Sequence, residues 1–145
     1  MYIDKEQQLS SAQAFTGAAT VSTNVIDFGN PTVKRQVGDG EPIGVGIHVT
    51  VAAGAGSTHV FEIIQSTVSA MTSPDIIASV TMLAAALPVG KFVFLPLPPG
   101  FPTKEFIALR NTATGGTTTI TVSAELTAQS MADKIQTYAK GYTIS

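Results

Sequence analysis

Ile43-Gly44-Val45-Gly46-Ile47-His48-Val49-Thr50-Val51 places an aliphatic residue at every second position and a small or polar one between. A repeat of two is the period of a half-buried strand, whereas a helix would repeat every three to four residues. The run sits inside residues 42–61, which carry no Asp, Glu, Lys or Arg and are long enough to cross a bilayer. Alternation excludes that reading, because a membrane helix is apolar all round. The same pattern returns near the end of the chain: Ile120, Val122, Ala124 and Leu126 point one way, and Thr119, Thr121, Ser123 and Glu125 the other.

Working outward from these two strands, the remaining segments are of one kind. Val21 to Phe28 reads as a strand closed by Gly29-Asn30-Pro31, and Val60 to Ser66 as another, with Phe61 and Ile63 inward and Glu62 facing away. Ile76 to Met82, Lys91 to Leu95, and Phe106 to Arg110 with Ile107 and Leu109 inward complete the set. Leu83 to Leu87 is either one helical turn or a strand end. Turn chemistry separates the strands at Gly38-Asp39-Gly40, Gly54-Ala55-Gly56-Ser57, Pro98-Pro99-Gly100 and Thr114-Gly115-Gly116. Seven or eight short strands so spaced predict an all-β fold: a single-domain, jelly-roll-like β-sandwich over residues 20–127. Residues 1–19 and 128–145 lack a period and are assigned as extended N- and C-terminal arms, the second carrying Tyr138 and Tyr142.

Composition narrows the function classes. The chain has 145 residues, enough for one core, and only 12% of them are charged, about half the usual share. Such a surface is rich in Thr, Ser, Ala and Gly and can be covered by a partner without stranding many charges. With no cysteine there is neither a disulfide framework nor a thiolate metal site, and a net charge of -2 with scattered Lys and Arg leaves no nucleic-acid footprint. Met1-Tyr2-Ile3-Asp4-Lys5-Glu6 is charged where a signal peptide needs an apolar run, so synthesis in a cytoplasm is expected.

The search for chemistry is nearly empty, and no catalytic residue, cofactor or metal is assigned. His48 and His59 are the only histidines. Pairing of their strands would bring the imidazoles together, but without a third ligand the plainer reading is two surface histidines. There is no Gly-x-Ser-x-Gly elbow, and Gly90-Lys91 is followed by Phe92 rather than the hydroxyl residue of a phosphate loop. Asp39 and Glu41 read as a solvated turn. Lys34-Arg35, the only basic doublet, lies in the same long loop from Gly29 to Pro42, a length suited to recognition.

Ser22-Thr23-Asn24-Val25-Ile26-Asp27-Phe28-Gly29, then Gly38-Asp39-Gly40-Glu41-Pro42 and the alternating strand, resembles the capsid cement (decoration) proteins of short-tailed double-stranded DNA bacteriophages. Gln13-Ala14, Ser73-Pro74-Asp75-Ile76, Leu95-Pro96-Leu97-Pro98-Pro99-Gly100 and Tyr138-Ala139-Lys140-Gly141-Tyr142-Thr143 extend the likeness in order over nearly the whole chain. The resemblance implies a jelly-roll subunit on the exterior of a virion. It would assemble as a homo-oligomer, a dimer in preference to a trimer, and bind the major capsid protein but neither nucleic acid nor membrane. It carries over no catalytic residue. Physical reasoning supplies the contact candidates: Tyr2, Tyr138 and Tyr142 as amphipathic anchors, Lys34 and Arg35 for acidic capsid groups, and Asp4 in the N-terminal arm. The competing expectation, a carbohydrate-binding or receptor-adhesion jelly roll of a phage particle, is disfavoured by the absence of Trp and by only three Tyr.

Overall fold

In the computed structural model of the chain, which describes residues 7–16, 19–29, 43–98, 103–115 and 119–128, nine strands build two antiparallel sheets. They are β1 (Gln8–Phe15), β2 (Thr20–Val21), β3 (Ile26–Asp27), β4 (Ile43–Val51), β5 (Thr58–Ser66), β6 (Asp75–Leu83), β7 (Phe92–Pro96), β8 (Phe106–Thr114) and β9 (Ile120–Ala128). One sheet runs β1-β9-β4-β7. The other runs β2-β8-β5-β6, with β3 also paired to β8. Taking β2 and β3 as two pieces of one interrupted strand, the chain changes sheet at every connection but the β5–β6 hairpin. Eight strand positions with this winding are a jelly-roll sandwich.

The alternation read from sequence is the alternation of the core. Val45, Ile47 and Val49 from β4, Phe61 and Ile63 from β5, Ile107 and Leu109 from β8, and Ile120, Val122 and Ala124 from β9 meet between the sheets. Ile47 pairs with Ala124 on one side and Val93 on the other, so it lies at the centre of its sheet and is completely buried. Full burial of such a side chain contributes roughly 1.5–3 kcal/mol.

Strand β8 runs four residues beyond the expected end at Arg110, β5, β6 and β7 shift by one or two residues, and three further differences matter to the fold. Residues 8–15, assigned there to an N-terminal arm, form β1, and Leu9 and Phe15 are completely buried in the core. Two register irregularities against β9 and a positive φ at Ala12 break the alternation that would have revealed the strand. The single strand expected over Val21 to Phe28 is split. Ser22 keeps contact with β8, its N–H donating to the Leu109 carbonyl and its hydroxyl accepting from the Leu109 N–H, while Asn24 turns to β1 and donates to the carbonyls of Leu9 and Gln8. Side-chain bonds to backbone thus replace the ladder between the pieces. At the other end, Ala128, set as the first tail residue, is the last residue of β9. Strand β6 ends at Leu83, and Ala84–Ala86 follows as a single 3₁₀ turn, so both alternatives for that segment hold in part.

A smaller apolar cluster covers part of the outer face of the second sheet. Ile64 and Ala108 point away from the main core and are sealed by Met71, with Val21, Val25 and Phe106 packed around them. Met71 takes this position at φ 54, a conformation that L side chains seldom adopt. Gln65 fastens the next loop: its side-chain oxygen accepts from the N–H groups of Thr103 and Lys104, and its amide nitrogen donates to the Thr103 hydroxyl.

Candidate functional site

His59 is one of the completely buried polar residues among those described. It follows the Gly54-Ala55-Gly56-Ser57 turn, lies on the inward face of β5 and has no exposed surface. Its Nε2 stands 3.0 Å from Ser57 Oγ, which donates to the Gly54 carbonyl at 2.9 Å. Its Nδ1 faces Asn111 Nδ2 at 3.3 Å, across the β5–β8 pair. One proton assignment satisfies the chain: Asn111 donates to Nδ1, the Nε2–H donates to Ser57, and Ser57 donates to Gly54. This relay holds a neutral imidazole, in keeping with a pKa lowered by burial. The Asn111 side-chain oxygen is left without a partner.

Ser, His and Asn in hydrogen-bonded order invite comparison with a nucleophile–base–orienter arrangement. A nucleophile must reach substrate, and Ser57 is 1% exposed with its proton committed to a backbone carbonyl. In this geometry the relay ties a turn, β5 and β8 together.

The second cluster lies on the outer face of the first sheet. Glu125 on β9 is opposite Gly46 on β4 and Gln8 on β1. Because Gly46 has no side chain, the carboxyl lies over it, and a Cβ there would come within 3.0 Å of both Glu125 Oε1 and the Phe92 ring. His48 completes the niche, with Nε2 3.7 Å from Oε1 and its ring 4.6 Å from that of Phe92. Both facing atoms are buried without a hydrogen-bond partner. Burial raises the Glu125 pKa to about 7 and lowers that of His48, so the pair favours two neutral groups over an ion pair. Glu125 points away from the core, as the alternation predicts, yet it is only 2% exposed. On the second sheet Glu62 does face away from the core as expected, and there it accepts from Arg110 Nε at 2.6 Å.

The two histidines are not brought together. Strands β4 and β5 belong to different sheets, His48 pointing outward from one and His59 inward from the other, and His59 is no surface residue. Among the described residues no three His, Asp or Glu side chains converge on a point that would hold a metal ion. None of their helices is long and apolar enough to cross a membrane. The contact candidates Tyr2, Asp4, Lys34, Arg35, Tyr138 and Tyr142, and the Asp39–Glu41 turn, lie outside the described residues. Sequence reasoning missed the relay and the carboxyl niche. The only available signals were a serine two residues before a histidine and a glycine in a strand, and neither has meaning until register is known.

A family model, Bbp16, matches residues 9–126. The chain belongs to the Bbp16 family. The matched span opens in β1 and closes in β9, so the Bbp16 match covers the whole sandwich, including the strand that sequence reading had placed in an arm. No curated protein matches the chain.

Proposed function

We propose that this member of the Bbp16 family is a structural virion protein that binds the outside of a major capsid protein shell as a homo-oligomer and stabilises the DNA-filled head. The observation that carries this reading is where the body keeps its polar chemistry. Its histidine relay and its carboxyl–imidazole pair are buried in or against the sheets, while the surface is nearly neutral. Such a body suits broad, weakly polar contact rather than a reaction. The sequence resemblance to phage cement proteins points the same way.

The mechanism is clamping of seams between capsomers. A protein that binds only the assembled state stabilises it by mass action. An oligomer gripping two capsomers makes its second contact at high effective concentration, so modest individual contacts suffice. With little charge involved, binding should depend weakly on salt. Co-sedimentation of the purified protein with expanded capsid shells, at low and moderate salt, tests this. Retention at both is expected. Failure to sediment with shells, or loss of binding at moderate salt, overturns the reading, and glycan-array binding without shell binding would replace it with an adhesion module. Removal of residues 131–145 is expected to leave the sandwich folded while lowering shell occupancy.

A further inference from the structure

Among the described residues four strands stand at the margins of the two sheets, and three are blunted. Strand β7 is five residues long and ends in Pro96, β1 is interrupted twice, and β2 is only two residues long. These are ordinary devices by which proteins keep sheet margins from pairing. The fourth, β6, has none of them over most of its length. It spans nine residues, Asp-Ile-Ile-Ala-Ser-Val-Thr-Met-Leu, with no proline, no lysine and a single register irregularity near Ile77. Among the described residues it pairs on one side only, with β5.

We infer that the outer edge of β6, unpaired among the described residues, is the self-association surface, pairing antiparallel with β6 of a second copy about a two-fold axis through Ser79 and joining the two second sheets into one. This rests on the self-association part of the proposed function and is independent of the capsid part.

Two observations select a second copy as the occupant. First, β6 is self-complementary. Its only charge, Asp75, is already paired with Lys104 and falls opposite the partner's Leu83, so no like charges meet. Second, the edge is unfinished. Ala78, Val80 and Met82 pack against the core but stay partly exposed, in contrast to the completely buried inward residues Phe61 and Ile63 on the neighbouring β5. Ile76 and Leu83 at the strand ends are 53% and 62% exposed. A strand laid alongside satisfies the free backbone groups and covers these side chains together. A nine-residue ladder is about 30 Å long and buries less than the roughly 800 Å² per partner of a standard interface. Association is therefore weak in dilute solution and fills as copies become concentrated.

The test uses the full chain. Since the protein has no cysteine of its own, Ser79→Cys reports the two-fold directly. Residues facing each other across antiparallel strands have Cα atoms about 4.5–5.5 Å apart, within disulfide reach. Mild oxidation should give a covalent dimer with Ser79→Cys and none with Ser123→Cys on the other sheet. Ser79→Lys, at an exposed position facing Glu62 on β5, should leave the melting temperature unchanged and weaken association about tenfold or more by setting two lysines opposite each other. Sedimentation over a concentration series reads this, and Thr81→Lys repeats it at a second exposed position. Wild-type protein that stays monomeric throughout, or a dimer that Ser79→Lys does not weaken and Ser79→Cys does not cross-link, overturns the inference. Shell co-sedimentation of the same variants separates the claims: shell binding by a monomeric wild type sinks this inference and the self-association part of the proposed function while leaving the capsid part standing, and a cross-linked dimer that ignores shells sinks the capsid part alone.

Discussion

Glu125→Gln should stabilise the protein relative to wild type progressively as pH rises from 5 to 8. The unfolded carboxyl ionises at 4.5, whereas burial holds the native one protonated up to about 7. A raised native pKa contributes stability that is complete below 4.5 and lost as pH climbs through 7. Between pH 5 and 8 the loss is about 2–3 kcal/mol, from roughly 1.4 kcal/mol per pH unit over the window in which only the unfolded state is ionised. The side chain is 3% exposed, so solvent screening does little to reduce this. Gln has the shape of the protonated acid and no such titration. The groups facing Glu125 are Gln8 on β1, Gly46 and His48 on β4, and Phe92 at the rim, and of these only His48 titrates. The lowered pKa of His48 and His59 acts with the opposite sign: their contribution is present above 6.5 and lost as pH falls through the native value. Both proteins carry these histidines, so the wild-type-to-variant difference isolates Glu125. Urea unfolding at pH 5 and pH 8 measures it, and in thermal scans the same difference amounts to roughly 5–10 °C. An equal stability difference at both pH values would refute the raised pKa, and a larger gain on the acid side would reverse its sign.

Two glycines of β4 should respond differently to alanine. At Gly44 an added Cβ meets backbone across the β4–β7 pair, the Leu95 carbonyl and the Pro96 Cα at 2.7 Å, whereas at Gly46 it meets only the ends of the Glu125 and Phe92 side chains. Gly44→Ala should cost about 3 kcal/mol or more and Gly46→Ala about 1–2, as read by urea midpoints. Ile47→Asp should prevent folding by several kcal/mol, and a soluble variant with native melting would show the β4 faces to be reversed. Ser57→Ala leaves the His59 Nε2–H and the Gly54 carbonyl without partners and should cost about 1–3 kcal/mol with little dependence on pH above 7.

What the sequence discloses follows from where period and chemistry are local. Strands β4 and β9 are legible because Val45, Ile47, Val49 and Ile120, Val122, Ala124 each repeat every second residue without interruption. Strand β1 is not, because its irregularities hide the relation between Leu9 and Phe15. Nor is the break after Val21, where Ser22 and Asn24 substitute side-chain bonds for the ladder. The buried polar clusters depend on register between distant segments: His59 meets Asn111 across 52 positions, and Glu125 finds room only because Gly46 is its cross-strand neighbour. Composition supplied the low charge of the surface but could not say that Glu125 and Glu62 are withdrawn from it.

The arrangement of the two sheets separates the titratable niche from the proposed pairing edge. Glu125 and His48 lie on the first sheet, β1-β9-β4-β7, while β6 closes the second, whose ion pairs are Glu62 with Arg110 and, at the end of β6, Asp75 with Lys104. Ionisation of Glu125 should therefore lower global stability without altering backbone pairing along β6. In the folded range, self-association measured by sedimentation at pH 5 and pH 8 should agree within about twofold, although unfolding free energies change by about 2–3 kcal/mol. Dimerisation that weakened in step with deprotonation of Glu125 in the wild type, and stayed constant with pH in Glu125→Gln, would place the self-association surface on the first sheet. It would then be the niche formed by Gly46, Phe92 and His48, not the edge of β6, that a second copy covers.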